Sequence, residues 1–452
     1  MNKLIKLSLF LVFCAGIHTA PALGAETLTL NQAIEQALIK NTGLEIKNSQ
    51  VREKQQRLKE MRSHYYPRLM ALGTGGRATN PLDYTLSAGT IASALPSNLS
   101  PMIPPSGIPL KGHDASFMNL TAMVVQPITQ ILKINSGVDI ADTDVNIARE
   151  ERDKTRGDIQ YAVKKVYYGI LIAGRQKKEA ELRIKLEEAQ LSDAENAFAS
   201  GVALPLKISG LKAGLLNRSQ DLLSLENRIA NLSYMLNDLT GRPLDAGVLL
   251  DDTLEASVKT QTLAQYDSHA LSQSHELVIA DLTLKKAGLA VDAAKKEYLP
   301  DMNLYALYNY ENDFHVIKNH VGVVGVSLSW TLFDFGQKSS VLGQRKALRH
   351  QAQKNYKRIK NEVRRDIKKE YTNLQYSNQM IDLATQVVEF RKDALKIASD
   401  LDDTGLRLNT AKLEAAAELA KAEADLFAAT LSNRLIRVNL AKLSGSYPTV
   451  TR

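Results

Sequence analysis

The longest interval without proline in this chain runs from Pro300 to Pro448. It is rich in Ala, Leu, Lys, Glu, Gln and Arg, which all favour the α-helix. Apolar side chains recur within it at steps of seven, at Ile367, Leu374, Ile381, Val388 and Leu395. This heptad stripe predicts a helix over about 338–403 that packs along its length against other helices. At about 1.5 Å per residue the helix would be roughly 100 Å long, which no single globular core requires.

The chain is also an internal duplication. An earlier heptad stripe has the same register, displaced by 204 residues and interrupted by Lys177; its apolar members are Val163, Ile170, Ile184, Leu191 and Phe198. Farther upstream, equivalent residues of the two copies are 233 positions apart, as Pro67 and Pro300 are. The difference of 29 residues places an insertion in the first copy. The insertion is rich in Pro, Ser and Gly and is expected to be a loop that buries nothing.

Each copy predicts two β-strands beside its helices. After Pro300, which ends a helical pattern, the residues alternate with a period of two, and one side holds Met302, Leu304, Ala306, Tyr308 and Tyr310. Alternation of this kind is typical of a strand, and proline is a natural boundary between the two structures. The four expected strands cover about 66–78, 115–130, 299–311 and 320–334.

A helix that runs directly into a strand hairpin and returns as a helix is expected where the strands cross a membrane and the helices do not. Four strands in one chain cannot close a barrel in such a membrane, and open strand edges are not stable in lipid because their backbone groups stay unpaired. Several copies of the chain must therefore share one barrel. The expected fold class is mainly α with a membrane β-barrel. In it, duplicated helix–strand–strand–helix halves supply strands to the barrel, while long coiled-coil-like helices extend it as an α-barrel.

The first 25 residues are expected to be a secretory signal peptide. Lys3 and Lys6 precede an apolar run over 7–17, and small residues follow where cleavage can occur. The run is too short to span a bilayer as a helix. The single cysteine, Cys14, lies inside this segment, so the mature chain is expected to have no disulfide and no Cys-based metal site. Lipid attachment at Cys14 is the less favoured alternative, because Phe13 is a poor residue before a lipobox cysteine.

The remaining chain is expected to divide at the repeat boundary. Residues 26–242 form the first repeat, 243–268 a linker, and 269–452 the second repeat. The insertion at about 79–112 is expected to face the outside of the cell. None of these later segments contains 18 consecutive apolar residues, so the sequence predicts no transmembrane helix.

The net charge and the reactive residue types limit which functions the sequence can support. The net charge is +8, but the sequence has no dense basic cluster with interleaved aromatic residues, so we expect no nucleic-acid partner and interpret the charge as solvated helix faces. His315 and His320 have no third ligand nearby, and no Ser/His/Asp or paired-carboxylate arrangement can be assembled. We therefore expect no catalytic residue, no metal site and no cofactor.

The sequence resembles the TolC-like outer-membrane efflux proteins. The resemblance rests on "LTLNQAIEQALIKNTGLEIKNSQ" (28–50), on the duplicated helix–Pro–strand junctions, and on the turns "FASGVALPLKISGLKA" and "DDTGLRLNTAKLEAAA". It covers nearly the whole mature chain. It implies a homotrimer with a shared twelve-stranded barrel in contact with outer-membrane lipids, and a periplasmic helical tunnel. It also implies that the chain is no enzyme but a passive exit duct for a periplasmic adaptor and an inner-membrane transporter of the RND, ABC or MFS type.

The resemblance also suggests two sets of functional residues. The adaptor-docking tips are expected at Gly201 with Val202 and at Gly405 with Leu406. The expected periplasmic gate residues are Glu414, Arg407 and Lys207. Lys207 stands where the family pattern has a carboxylate partner for the arginine, which puts the usual salt-bridge latch in doubt.

A second class of function stays open from sequence. Long helices could also make a periplasm-spanning scaffold without an open channel. Amphipathic strands ending in aromatic residues such as Tyr308, Tyr310 and Trp330 favour the duct, since a scaffold has no need of them. Small-molecule efflux and type I protein secretion are not separated by the sequence.

Overall fold

The computed structural model describes residues 27–77, 79, 83–87, 106, 108–111, 116–202, 204–253, 260–311, 320–401 and 409–446. Within these ranges the helices are α1 (Leu30–Lys40), α2 (Thr42–Ser63), α3 (Ile131–Ala199), α4 (Pro205–Thr240), α5 (Leu263–Gln273), α6 (His275–Lys296), α7 (Gln337–Leu401) and α8 (Asn409–Leu443). The strands are β1 (Arg68–Arg77), β2 (Asp83–Leu86), β3 (Ile108–Lys111), β4 (Ser116–Pro127), β5 (Asp301–Glu311) and β6 (His320–Ser329). The predicted long helices are confirmed, since α3 and α7 contain 69 and 65 residues.

The chain divides into two compact units. The first takes its described residues from Met1–Asn41, Ala162–Ala256 and Ala384–Ala428. The second takes its described residues from Thr42–Tyr161, Ser257–Leu383 and Ala429–Arg452. Each unit thus combines residues from both sequence repeats. The linear repeat boundaries stay a prediction.

Four strands form one antiparallel sheet in the order β1-β4-β5-β6. Each repeat supplies one hairpin, and the pairing of β4 with β5 joins the two, with Val124 opposite Ala306. These strands lie within the four ranges expected from the alternation. Within the chain, β1 and β6 are the edges of this sheet, so each presents one row of unpaired backbone groups.

The insertion in the first copy contains some regular structure. It contains a two-stranded antiparallel pair, β2 with β3, in which Thr85 lies opposite Pro109. Proline cannot donate a ladder hydrogen bond, and a two-stranded pair tolerates it because each strand is an edge. The predicted insertion thus includes a short strand pair at Asp83–Leu86 and Ile108–Lys111.

The change from helix to strand at Pro300 is held by the neighbouring strand end. The hydroxyl of Thr129 donates a hydrogen bond to the Pro300 carbonyl at 2.8 Å and accepts one from the Met302 N–H at 2.8 Å. Lys133, in the first turn of α3, forms an ion pair with Asp301 at 2.8 Å. The junction at Pro67 has a similar support, because the Gln126 amide donates to the Tyr65 carbonyl at 3.0 Å. Helix and strand therefore join without a long loop.

The heptad stripe of α7 packs as predicted. In the second unit, Val363, Ile367 and Leu374 are buried in a cluster with Leu440 of α8 and with side chains of α5. Val388 is buried as well, while Ile381 and Leu395 are half-buried. Along α3 the equivalent stripe is buried at Val163 and Ile170 and reaches the surface at Phe198, in the last helical turn.

The same glycine C-cap ends a helix in each of the two copies. Gly241 and Gly445 have φ of 65° and 72°, and the Gly445 and Ser446 N–H groups donate back to the Lys442 and Ala441 carbonyls. This is a Schellman cap, which requires a left-handed residue that glycine adopts most easily. Gly241 lies against Lys40, the last residue of α1, and Gly445 lies against Gln273, the last residue of α5. No other side chain fits at Gly445, because an added Cβ would lie 2.1 Å from the Gln273 carbonyl oxygen.

Candidate functional site

The turn between α3 and α4 is closed by Gly201. Its φ is 77°, its N–H donates to the Phe198 carbonyl at 2.9 Å, and the Val202 N–H donates to the Ala197 carbonyl at 2.9 Å. These are the two hydrogen bonds of a Schellman cap. The next helix begins with Pro205 at its first position, which suits a residue that has no N–H to donate. A sharp, well-defined helical hairpin results.

This turn exposes a small apolar surface. Val202, Leu204 and Leu206 have 83%, 72% and 81% of their surface exposed, and nothing lies within 4 Å of the position that a Cβ on Gly201 would take. Large apolar side chains that project together from a turn indicate a contact site. Sequence reasoning identified Val202 and missed Leu204 and Leu206, although their apolar character was readable.

Ion pairs join the two helices of this hairpin at three levels. Glu195 of α3 pairs with Lys212 of α4 at 3.2 Å, and Lys177 pairs with Glu226 at 2.8 Å. Between them, Glu187 lies 3.8 Å from Arg218. Five of the six side chains are well exposed, so the pairs contribute little to stability, but their spacing shows the antiparallel register of the hairpin.

A denser charge cluster connects three helices of the first unit. Glu418 of α8 accepts a hydrogen bond from Arg183 of α3 at 3.0 Å and pairs with Arg391 of α7 at 3.1 Å. Arg183 also contacts Glu179, one turn away on α3. The side chains of Glu418 and Arg183 keep only 28% and 20% of their surface exposed. Water is thus partly excluded from the cluster, and its members interact more strongly than exposed pairs do.

The cluster shifts the acidity of its members. The hydrogen bond from Arg183 lowers the pKa of the Glu418 carboxyl, against an opposing effect of burial, and the charges of Arg183 and Arg391 lower it further. Burial would lower the pKa of Arg183, but its hydrogen bonds to Glu179 and Glu418 outweigh burial, so the pKa is raised. Both shifts favour the charged forms.

The structure describes two of the three expected gate residues. Glu414 is exposed on α8, four residues before Glu418 and therefore on the same helix face. Lys207 is exposed in the first turn of α4. Neither side chain forms an ion pair with any residue that the structure describes. Gly405, Leu406 and Arg407 lie outside the described residues, so the second tip and the expected arginine are not placed.

Sequence reasoning missed Arg183, Arg391 and Glu418. They come from three separate helices, and Glu418 follows Arg183 by 235 residues. Their spacing within the sequence has no period that could have related them.

The four-stranded sheet has one apolar face and one mixed face. Leu304, Ala306 and Tyr308 of β5 share the apolar face with Val324 and Val326 of β6, as the alternation predicts. On the other face the Thr121 hydroxyl donates to the Asn309 side-chain oxygen at 2.8 Å. A sheet with these two faces suits lipid on one side and water on the other.

Aromatic residues follow the end of β6. The Trp330 indole N–H donates to the Tyr298 carbonyl at 3.2 Å, and the Lys338 ammonium lies 6.0 Å from the centre of the Tyr298 ring. Asp334 then caps α7 by accepting hydrogen bonds from the Gly336 and Lys338 N–H groups. Amphipathic aromatic rings such as these, at the end of a strand, are typical of a membrane–water interface.

None of the helices that the structure describes is both long and apolar enough to cross a membrane. No group of three or more His, Cys, Asp or Glu side chains among the described residues could hold a metal ion.

Comparison with known proteins adds a family and a fold. The family model described as outer membrane efflux protein matches residues 33–242 and 268–446. No curated protein sequence matches the chain. Solved structures of similar fold include VceC from Vibrio cholerae, with a TM-score of 0.69 and 18% identity over 92% of this chain and 96% of that one. The CmeC outer membrane channel from Campylobacter jejuni has a TM-score of 0.73 and 15% identity over 92% and 85% of the two chains. For the open state of the MtrE outer membrane channel from Neisseria gonorrhoeae the TM-score is 0.67 and the identity 15%, over 94% and 91%.

Proposed function

The chain belongs to the outer membrane efflux protein family, and we propose that it is the outer-membrane exit duct of a tripartite efflux or type I secretion system. It lies in the outer membrane and has a large periplasmic helical portion. In this role it conducts substrates passively and catalyses no reaction.

The observation that carries the proposal is the four-stranded sheet with two free edges and one apolar face. A sheet edge in lipid leaves backbone groups unpaired, which costs several kcal/mol for each group. Because all its neighbouring strands are antiparallel, β6 of one copy can pair with β1 of the next and keep the alternation. Three copies then close a twelve-stranded barrel whose apolar face meets the outer-membrane lipids.

The shared barrel of three copies also assigns a role to each of the other segments of the chain. Residues 1–25 are the signal peptide, and the insertion at about 79–112 connects two strands at the cell exterior. The two repeats, 26–242 and 269–452, each supply one hairpin to the barrel, and 243–268 links them.

A periplasmic adaptor is the proposed partner of the helical tips. The exposed Val202, Leu204 and Leu206 around Gly201 support this role, and Gly405 with Leu406 would form the second tip. The adaptor would connect the duct to an inner-membrane transporter of the RND, ABC or MFS type. Glu414, Arg407 and Lys207 are the proposed gate residues at the periplasmic mouth.

Cysteine cross-linking tests the shared barrel. The only native cysteine is at position 14, so introduced cysteines have no background in the mature chain. One cysteine replaces Ala71 in β1, and a second replaces Gly322, Val324, Val326 or Leu328 in β6, one at a time. We expect that one of these pairs gives a covalent trimer in denaturing gels under mild oxidation, and that reduction returns it to monomer.

The matched control pairs Ala71→Cys with Ala306→Cys. Ala306 lies on the same face but in β5, two strands from β1 and two residues along from the position opposite Ala71, so it is more than about 9–10 Å away, which is too far for a disulfide. Covalent trimers from the β5 pair, or none from any β6 pair, contradict the shared barrel. The purified trimer should also conduct ions across a planar bilayer. A stable trimer that never conducts would favour the scaffold function instead.

The docking tip has its own test. Val202→Asp combined with Leu206→Asp should lower recovery of a periplasmic adaptor that binds the native protein by about tenfold or more, because charge cannot be buried against an apolar partner surface. The measurement is co-purification from cells that express both proteins, with trimer content as the reference. Ile39→Asp with Ile46→Asp is the matched control, since both side chains are exposed isoleucines outside the tip. Equal recovery of adaptor by both variants would contradict docking at this turn.

A further inference from the structure

The positive charge of the chain is concentrated in one helix segment. Residues 337–370 of α7 contain 12 Lys and Arg but 3 Asp and Glu. The corresponding segment of the first repeat, 133–166 of α3, contains 7 of each. The whole chain has a net charge of +8. The excess of cations over acidic residues within 337–370 therefore accounts for the whole positive net charge. The two repeats share a fold and differ here in charge.

The cations of this segment include a stripe on one face of the helix. Val363 and Ile367 are buried against Tyr266 and Ala270 of α5 and Leu440 of α8. Within residues 353–370, and at about 100° per residue, the positions within about 40° of the opposite direction are 354, 358, 361, 365 and 369. Four of these five are cations, Lys354, Arg358, Arg365 and Lys369, and all four are exposed.

Local pairing neutralises this stripe only in part. Arg358 pairs with Glu362 at 2.6 Å, and Arg365 pairs with the adjacent Asp366 at 2.9 Å. Lys354 and Lys369 form no ion pair with any residue that the structure describes. Because both pairs are exposed to water, the guanidinium groups stay available to other anions.

The packing of α5 indicates which way this stripe faces. In the proposed duct the long helices form the wall of a tube. The short helix α5 lies on α7 as an additional layer, with Asp267 of α5 bound to Arg364 at 3.0 Å. An additional layer inside the tube would fill the bore, so α5 belongs on the outside. The face of α7 opposite α5 then lines the bore.

We propose that the α7 stripe of Lys354, Arg358, Arg365 and Lys369 makes this stretch of the bore an anion-binding section, so that the duct favours anionic substrates. The inference rests on the proposed duct and adds the substrate class. Three copies bring the stripe into one confined space, where like charges from different chains reinforce one another's field. Rings of Lys and Arg are the usual means of anion selection in pores.

Block of ion current by a multivalent anion tests the proposal. Purified trimers in planar bilayers are titrated with inorganic tripolyphosphate from the barrel side. The stripe variant carries Lys354→Gln, Arg358→Gln, Arg365→Gln and Lys369→Gln. We expect tripolyphosphate to block the current through the native protein. The concentration that halves the current (the half-block concentration) should be about tenfold higher or more for the stripe variant, because the attraction of the anion grows with each charge in the bore. A multivalent anion reports on this stretch rather than on carboxylates such as Glu414.

The matched control removes the same charge from the other side of the same segment. Lys338→Gln, Arg345→Gln, Arg349→Gln and Lys360→Gln all lie within about 40° of the packed direction, and they should leave half-block within about twofold of the native value. Equal shifts in the two variants, or a native trimer that conducts without block, overturn the inference alone. A native trimer that conducts no current overturns the proposed duct and this inference with it.

Discussion

Gly445→Ala should prevent the protein from reaching a stable fold. The φ of 72° at this position costs a residue with a side chain about 1–2 kcal/mol. The added Cβ would also lie 2.1 Å from the oxygen and 2.4 Å from the carbon of the Gln273 carbonyl. These are backbone atoms, so no side chain can swing away. Relief requires that α5 move off α7, and Tyr266 and Ala270 of α5 are part of the buried cluster. We expect a loss of more than about 4 kcal/mol.

The other glycine caps make this prediction specific. Gly241→Ala brings a Cβ to 2.7 Å from the Lys40 Cβ, so we expect a smaller but clear loss. Gly201→Ala meets nothing within 4 Å at a φ of 77°, so it should cost only the backbone term of about 1–2 kcal/mol. The measurement is the outer-membrane yield of trimer and its thermal unfolding in detergent, followed by circular dichroism. Gly445→Ala trimers as stable as Gly201→Ala trimers would contradict the close approach.

The second large effect is expected at Glu418. Glu418→Ala leaves Arg183 and Arg391 without their shared carboxylate in a partly buried cluster, and it should destabilise the first unit by about 2 kcal/mol. Glu423→Ala is the matched control, since Glu423 is exposed on the same helix and forms no ion pair with a described residue. We expect a change of less than about 0.5 kcal/mol there. Hydrogen exchange of amides in α8, compared between the two variants, locates the loss.

The same cluster predicts a pH dependence. The pKa of Glu418 is lowered in the folded protein from its ordinary value of 4.5. Its stabilising effect is therefore fully present above about pH 4.5 and is lost as the pH falls through the lowered folded value. The stability difference between the native protein and Glu418→Gln should stay constant from pH 7 to pH 5 and shrink at lower pH. A difference that persists unchanged at pH 3 would show that the carboxylate charge is not what stabilises the cluster.

Much of the fold was determined by the sequence alone. The heptad stripes predicted α3 and α7, and the alternation after Pro300 predicted β5 and the face that its residues share. The offset of 204 residues between the heptad stripes also relates Gly201 to Gly405 and Gly241 to Gly445. All of these are local or strictly periodic patterns, in which each residue carries the signal by its position relative to near neighbours. A single sequence is sufficient to read them.

Equivalent positions in the two repeats show what the sequence could not decide. Tyr167 and Tyr371 match at the offset of 204 residues, yet the Tyr167 hydroxyl lies within hydrogen-bond distance of two carbonyl oxygens, those of Leu28 at 2.9 Å and Asp251 at 2.7 Å. Tyr371 instead packs edge-on against Tyr266. The glycines at 241 and 445 match as well, but an added Cβ would lie 2.1 Å from a backbone oxygen at 445 and no nearer than 3.5 Å to one at 241. These differences depend on which distant segment lies beside each residue.

The candidate site divides in the same way. Gly201 and Val202 could be assigned from sequence, because a turn between two helical patterns is a local feature. The contact of Glu418 with Arg183 and Arg391, and the assignment of the α7 cations to the face opposite α5, came only from the tertiary structure. Each joins residues from different helices, and their separation in the chain is set by the lengths of the intervening elements and not by any period. Only the packed arrangement of the helices brings those charges together or holds them apart.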